Sequence, residues 1–356
     1  MNAPNRSVRA IDSVGALLLA LSVGAVALSA ATNGGAAGPA LTLILGSAAA
    51  LVLGRILGRV HRMLVPAAVV VAAIAVAAAL GPVIGGGPLD GPFGYRNATG
   101  AFYVQAAIAA IMVAGAARRT WLRVLAIVAA VPLAIVAAVD SWAAGMCLLT
   151  VVVALVGLAG ARWVRVSIVL AGVLVGLVLA GSVVLGATYH PGDDGPFVRA
   201  LTERRVVLWH ESLTIMAAHP DGVGPGRFKD VDPTAMRDPD ASWAHNEFLQ
   251  QGVELGWAGL ALLVLVFVWG FARLWVHPSP DIVVALGAAS LAALGIHACV
   301  DYVLHFPAVP LTAAALVGAA QAVPFRRFRR DDDEHREESI EGGGHPDGVA
   351  GAPAAR

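Results

Sequence analysis

Between Tyr189 and Glu247 the chain gathers Glu203-Arg204-Arg205, Trp209-His210-Glu211, His219, Arg227, Lys229, Arg237 and Trp243, then His245-Asn246-Glu247, while the flanking sequence is almost wholly apolar. Adjacent guanidiniums such as Arg204 and Arg205 repel unless an anion or carboxylate lies near, and arginine suits bidentate binding of phosphate. Two readings are open: an anion site, or pairing with Glu203, Asp194 or lipid headgroups. His245 precedes the apolar run that begins at Phe248, so its imidazole, with an ordinary pKa of about 6.5, can accept a proton at the mouth of a helix bundle. Equally, His245 or Asn246 can simply cap the next helix, asparagine being a favoured N-cap. Glu254 and Asp301 are carboxylates in apolar surroundings, which are costly and functional by default. His297, Asp301 and His305 recur every four residues, but the helix ends before Pro307 and no third strong ligand accompanies them, so no metal site is expected. Asp193, Asp194, Glu203, Glu211 and Asp240 read as solvated loop charge.

The elements that must position these groups are membrane spans. With 58% hydrophobic and only 13% charged residues, the chain has little water-facing surface to cover, so lipid must cover it. Apolar runs long enough to cross a bilayer fall near 14–31, 40–57, 64–84, 100–117, 121–139, 142–161, 166–187, 248–274, 282–300 and 308–324, which predicts an all-α bundle of about ten transmembrane helices. The arginines fall on alternate sides: Arg6 and Arg9, Arg55 to Arg62, Arg118 to Arg123, Arg162 and Arg165, Arg273, and Arg326 to Arg330. That side is the cytoplasm, placing both termini inside and the 188–245 loop outside. The pattern means membrane, not nucleic acid. The alternation requires a tight turn at Asp140-Ser141 rather than one broken helix. Within the loop, Val206, Val207, Trp209, Leu213 and Met216 form one face of an amphipathic helix, expected to lie along the membrane surface until His219-Pro220 ends it. Gly222, Gly224 and Gly226 read as a turn, and no Walker lysine follows them, which excludes ATP-driven transport by this chain alone. Cys147 and Cys299 read as buried small hydrophobes. Residues 1–324 form one membrane domain, and 325–356, acidic and then rich in Gly and Pro, reads as a disordered cytoplasmic tail.

Taken in order, Arg205-x-x-x-Trp209, His219-Pro220-x-Gly222-Val223-Gly224-Pro225-Gly226-x-Phe228, and Ala244-His245-Asn246-Glu247-Phe248-Leu249 leading into Gly252 and Gly256 resemble the O-antigen ligase and polymerase superfamily. Gly94-Tyr95-Arg96-Asn97 through Phe102 is similar to that family's glycine–asparagine signature, and His297 to Pro307 to its late outside turn; the likeness spans roughly 90–322. One departure is Ser141-Trp142-Ala143, where the family often has Ser-Arg-Gly. The resemblance implies a GT-C-like membrane glycosyltransferase in the inner (plasma) membrane. It would transfer a glycan from a polyprenyl-pyrophosphate carrier to an acceptor hydroxyl on a glycan, lipid or protein outside the cytoplasm. In that scheme Arg205, helped by Arg96, binds the pyrophosphate, His245 is the general base for inverting attack, and Arg204 and Asp301 are further substrate-binding residues. Trp209, Asn246 and Glu247 orient the sugar or the imidazole. No cofactor or metal is required, since guanidiniums supply the charge. The alternatives are a repeat-unit polymerase of the same superfamily, protein O-oligosaccharide transfer, or a non-enzymatic lipid-linked glycan transporter, which would have no use for His245.

Overall fold

The computed structural model describes residues 6–80, 93–190, 192, 195, 201–238 and 241–323. Asp193, Asp194, Asp240, part of the 85–99 loop, the last arginine cluster and the 325–356 tail lie outside the described residues. The described chain is helical: α1 (Arg6–Asn33), α2 (Ala37–Val60), α3 (Leu64–Leu80), α4 (Arg96–Ala116), α5 (Thr120–Asp140), α6 (Trp142–Cys147), α7 (Leu149–Leu155) and α8 (Ala161–Thr188) precede the cap. The cap holds α9 (Glu203–Ala218), α10 (Phe228–Val231) and α11 (Pro233–Arg237), and α12 (Glu247–Trp275), α13 (Ile282–Ala298) and α14 (Ala308–Ala320) follow.

Six of these, α1, α2, α4, α5, α8 and α12, are long and apolar enough to cross a membrane. Shorter apolar stretches at Leu64–Ala79, Ala143–Ala159, Ile282–Ala298 and Ala308–Ala320 fall where the other four spans are expected. α4 and α13 are almost wholly buried and form the centre, while α1, α2, α5 and α8 leave leucines and valines such as Leu28, Leu53, Val128 and Leu177 exposed, an apolar rim of the kind lipid covers. The result is an all-helical polytopic membrane protein. The α2–α14 contact is close because Gly54 and Gly58 face α14: a Cβ at Gly54 would sit 2.1 Å from the Ala315 carbonyl oxygen. Without water to drive helices together, such small-residue approaches supply the packing.

At Asp140-Ser141 the helix ends: Ser141 is extended (φ −152°, ψ 121°) and caps α6 by accepting from the Ala144 N–H. This is the tight turn that the arginine alternation requires. The expected 142–161 span is broken into α6, α7 and a 3-10 turn at Val156–Ala159.

Ion pairs sort the helix ends. Asp12 on α1 joins Arg55 at 3.1 Å and Arg273 at 2.9 Å, and Arg62 pairs with Asp281, which also caps α13. Arg55 and Arg62, placed on the cytoplasmic side by sequence, therefore meet the Arg273 end of α12. His245 and Asp301 belong to the other ends of α12 and α13, about 25 Å away along a 17-residue helix.

The amphipathic helix exists as α9, with a correction to its setting. It packs against α8 and α12, burying Val206, Leu208, Trp209, Ser212 and Met216, so its apolar face meets protein and not lipid. Two glycines make the room: a Cβ at Gly186 would lie 3.0 Å from the Trp209 Cβ, and one at Gly252 2.5 Å from the Met216 Cε.

Candidate active site at the mouth of the bundle

Asp301, completely buried just beyond the end of α13, collects the chemistry-bearing residues. It accepts from Tyr95 Oη at 2.8 Å, Arg205 Nη2 at 3.0 Å, the Tyr302 N–H at 2.8 Å and the Asn97 side-chain amide, and faces His245 Nδ1 at 3.1 Å. Four separate segments thus meet on one carboxylate. Burial pushes its pKa up, but the bond and charge of His245 and the charge of Arg205 outweigh this and hold it well below the usual carboxylate range. The same environment pushes the Tyr95 phenol up, by burial first and then by Asp301.

An ionised Asp301 only accepts hydrogen bonds, so His245 Nδ1 must carry the proton, and in the neutral imidazole Nε2 is the acceptor. The backbone of His245 is left-handed (φ 48°), a conformation a non-glycine residue adopts only under surrounding constraint. The constraints are visible. Trp209 Nε1 donates to the His245 carbonyl at 3.2 Å, and Asn246 caps α12, accepting from the Phe248 and Leu249 N–H groups at 3.1 Å while donating to Ser182 Oγ at 2.9 Å. Asn246 is therefore the cap, which leaves His245 free of that duty.

The Gly-rich segment is more than a turn. The N–H groups of Val223 and Gly224 donate to the Val253 and Glu254 carbonyls, and Trp257 N–H donates to the Pro220 carbonyl. They dock where α12 is interrupted at Gly256 (φ 70°), and a Cβ there would lie 2.2 Å from the Pro220 oxygen. Glu254, expected to be functional, accepts from the Gly226 N–H at 2.8 Å and from Gln250 at 2.9 Å, so it ties this segment to α12.

The other residues singled out by sequence divide clearly. Arg204 turns away from Arg205 and pairs with Asp238 on the exposed face, so the adjacent guanidiniums meet different carboxylates. Glu203, offered as its partner, accepts instead from Tyr189 Oη at 3.0 Å. Arg96 is exposed at the first turn of α4, next to Asn97, and makes no ion pair among the described residues. Trp209 is fully buried, so it holds the His245 backbone and does not reach a sugar. Glu247 is buried too, accepting from Leu304 N–H at 2.8 Å and lying 3.0 Å from His305 Nδ1.

Sequence reasoning missed Tyr95, Asn97, Trp243, Tyr302 and His305 as members of this site. Tyr302 stacks on Tyr95 at 4.7 Å, lies near-parallel to Trp243 at 5.9 Å and meets His245 edge-on at 4.8 Å, giving the mouth an aromatic wall. Tyr95 and Asn97 stood inside the quoted glycine–asparagine signature, the one signal that could have found them.

An apolar helical bundle with a buried carboxylate joining an arginine and a histidine at one end, under a cap of polar helices, defines a polytopic membrane protein with a polar site at one face. Residues 141–264 match the family model for O-Antigen ligase, in support of the O-antigen ligase superfamily to which the ordered motifs point. The matched stretch contains Arg205 and His245, whereas Tyr95, Asn97 and Asp301 come from outside it. No curated protein matches the chain.

Proposed function

We propose that this chain is an inverting membrane glycosyltransferase, a ten-span GT-C-like bundle with both termini in the cytoplasm, which moves a glycan from a polyprenyl-pyrophosphate carrier to an acceptor hydroxyl on the far side of the inner membrane. The observation that carries the reading is the shared carboxylate of Asp301, which links Arg205 to His245 across 3.0 and 3.1 Å. His245 Nε2 removes the hydroxyl proton, and the imidazolium so formed is stabilised through Nδ1 by Asp301. Arg205, whose side chain keeps 17% of its surface exposed, meets the pyrophosphate and the negative charge that grows as the anomeric carbon–oxygen bond breaks. The second guanidinium is Arg96, because Arg204 is engaged by Asp238. Trp209 and Asn246 are positioning residues that set the His245 backbone. An apolar cleft of about 360 Å³ between α8 and α12, lined by Val175, Phe248, Phe267 and Phe271 among others, suits the polyprenyl tail, and Phe248 lies three residues from the base.

The test is polyprenyl pyrophosphate release from a lipid-linked glycan donor in reconstituted membranes. His245→Ala and Arg205→Ala are expected to abolish release, with donor binding retained in His245→Ala. If wild type moves the donor between leaflets without releasing pyrophosphate, and His245→Ala does so equally well, the chain is a transporter.

A further inference from the structure

The mouth of the bundle holds a second imidazole backed by a buried carboxylate, which the reaction as described leaves unused. His305 Nδ1 lies 3.0 Å from Glu247 Oε1, and Glu247 is only 1% exposed. The same oxygen accepts from the Leu304 N–H, and Glu247 stands in the first turn of α12, where the helix dipole favours an ionised carboxylate. The indole of Trp243 lies 3.9 Å from the imidazole, within the range in which an aromatic face favours a cation. His305 is not sealed in, since its side chain keeps 27% of its surface. His245 and His305 both lean on Tyr302, their ring centroids 4.8 and 6.3 Å from it, and so share one aromatic wall.

We propose that His305 is the acid partner of His245: an imidazolium, held by Glu247 and Trp243, that meets the departing pyrophosphate and gives it a proton. This rests on the glycosyltransferase reading above. The acceptor oxygen–anomeric carbon bond forms as the anomeric carbon–pyrophosphate bond breaks; the hydroxyl proton passes to His245 and the leaving pyrophosphate takes one from His305. Exchange with water then resets both imidazoles. The two histidines face different charges. His245 shares Asp301 with Arg205, a cation that already neutralises the carboxylate. His305 meets Glu247 and, further off, Glu254 on α12, with Tyr302 and Trp243 on the flanking loops. Burial lowers the pKa of His305, but the charge and bond of Glu247 outweigh it and the net shift is upward.

The experiment is the pH profile of pyrophosphate release from the lipid-linked donor by the full chain in reconstituted membranes. Wild type should give a bell, its alkaline limb set by loss of the His305 proton. His305→Gln should lower release by about 10²-fold at neutral pH and flatten the alkaline limb. Glu247→Gln, which keeps an acceptor for Leu304 but removes the charge, should move that limb to lower pH while His305 remains. Release by His305→Gln with the wild-type bell at any height, or an unmoved limb in Glu247→Gln, overturns the acid role. Wild type that releases no pyrophosphate at any pH instead overturns the glycosyltransferase reading itself.

Discussion

At one end of the bundle Asp12 joins Arg55 and Arg273; at the other Asp301 joins Arg205 and His245. Each is a carboxylate between two basic side chains that fastens segments distant in sequence. The Asp12 side chain is 36% exposed and both of its partners are guanidiniums, with no imidazole between them. Asp301 is fully buried, has Tyr95 and Asn97 as further donors, and holds an imidazole. An intramembrane ion pair is therefore not in itself a sign of chemistry. What separates a clamp from a site is the histidine, the full burial of the carboxylate, and the aromatic wall beside it.

The largest effect should come from exchanging the two carboxylates for amides one at a time. Asp301→Asn leaves Arg205 facing a neutral group in a buried setting and lets the amide donate to His245 in the wrong sense. Removing one partner of a buried pair costs about 3–5 kcal/mol, and loss of the oriented base lowers release by about 10³-fold. Asp12→Asn should cost about 1 kcal/mol and leave release within about twofold of wild type, as for a part-exposed pair. Thermal unfolding in detergent and the release assay read both. Equal loss of release in a folded Asp12→Asn variant would erase the distinction between the ends.

Next in size is the kink that carries the cap. Gly256→Ala places a Cβ against the Pro220 carbonyl at a φ of 70°, and the strained backbone alone costs about 1–3 kcal/mol. The expected outcome is a lowered unfolding temperature together with faster proteolysis near residues 220–226. Unchanged proteolysis would mean that the docked glycine segment does not depend on this kink.

Much of this layout is written in the sequence, and the exceptions have physical causes. Apolar length marked where the helices lie, six of them long enough to cross a membrane, because lipid leaves the backbone few options. The α9 periodicity was legible but its partner was not: an amphipathic stripe fits lipid or protein alike, and only Gly186 and Gly252, far away in sequence, decide between them. Arg205, His245 and Asp301 could be found individually as polar groups near apolar runs. Their meeting could not, because it depends on how the ends of α4, α12 and α13 register. Arg204 and Arg205 look equivalent as neighbours in a string, yet α9 turns them about 100° apart, towards different carboxylates.

The cap also contains a pair of acids that contrasts with Asp301. Asp232 is fully buried, lies beside Glu211 and caps α11 by accepting from the Ala235 N–H. Burial raises its pKa first, the Ala235 bond opposes this, and the Glu211 charge adds to the rise, to about 7. Where Asp301 has cations to keep it ionised, Asp232 has a second acid. The folded form therefore holds its proton more tightly than the unfolded chain, so the stability this gives is full below pH 4 or so and is lost as pH rises through about 7. The unfolding temperature of wild type should fall over that window, and Asp232→Asn, a stand-in for the protonated acid, should fall less. Identical pH dependence in the two would remove Asp232 as its source.

The smallest effect should come from Arg204, and it sharpens the contrast most finely because its neighbour should give one of the largest. The Arg204–Asp238 pair is exposed, at 41% and 45% of the two side chains, and such pairs contribute about 0–1 kcal/mol. Arg204→Ala should therefore unfold at nearly the wild-type temperature and release pyrophosphate within about threefold of wild type. Arg96→Ala, by contrast, should weaken donor binding, because that guanidinium is exposed beside Asn97 with no carboxylate of its own among the described residues. If Arg204→Ala is as inactive as Arg205→Ala while Arg96→Ala behaves as wild type, the second cation at the pyrophosphate is Arg204. In that case the Asp238 pair must open when the donor binds, and the cap must move to let it.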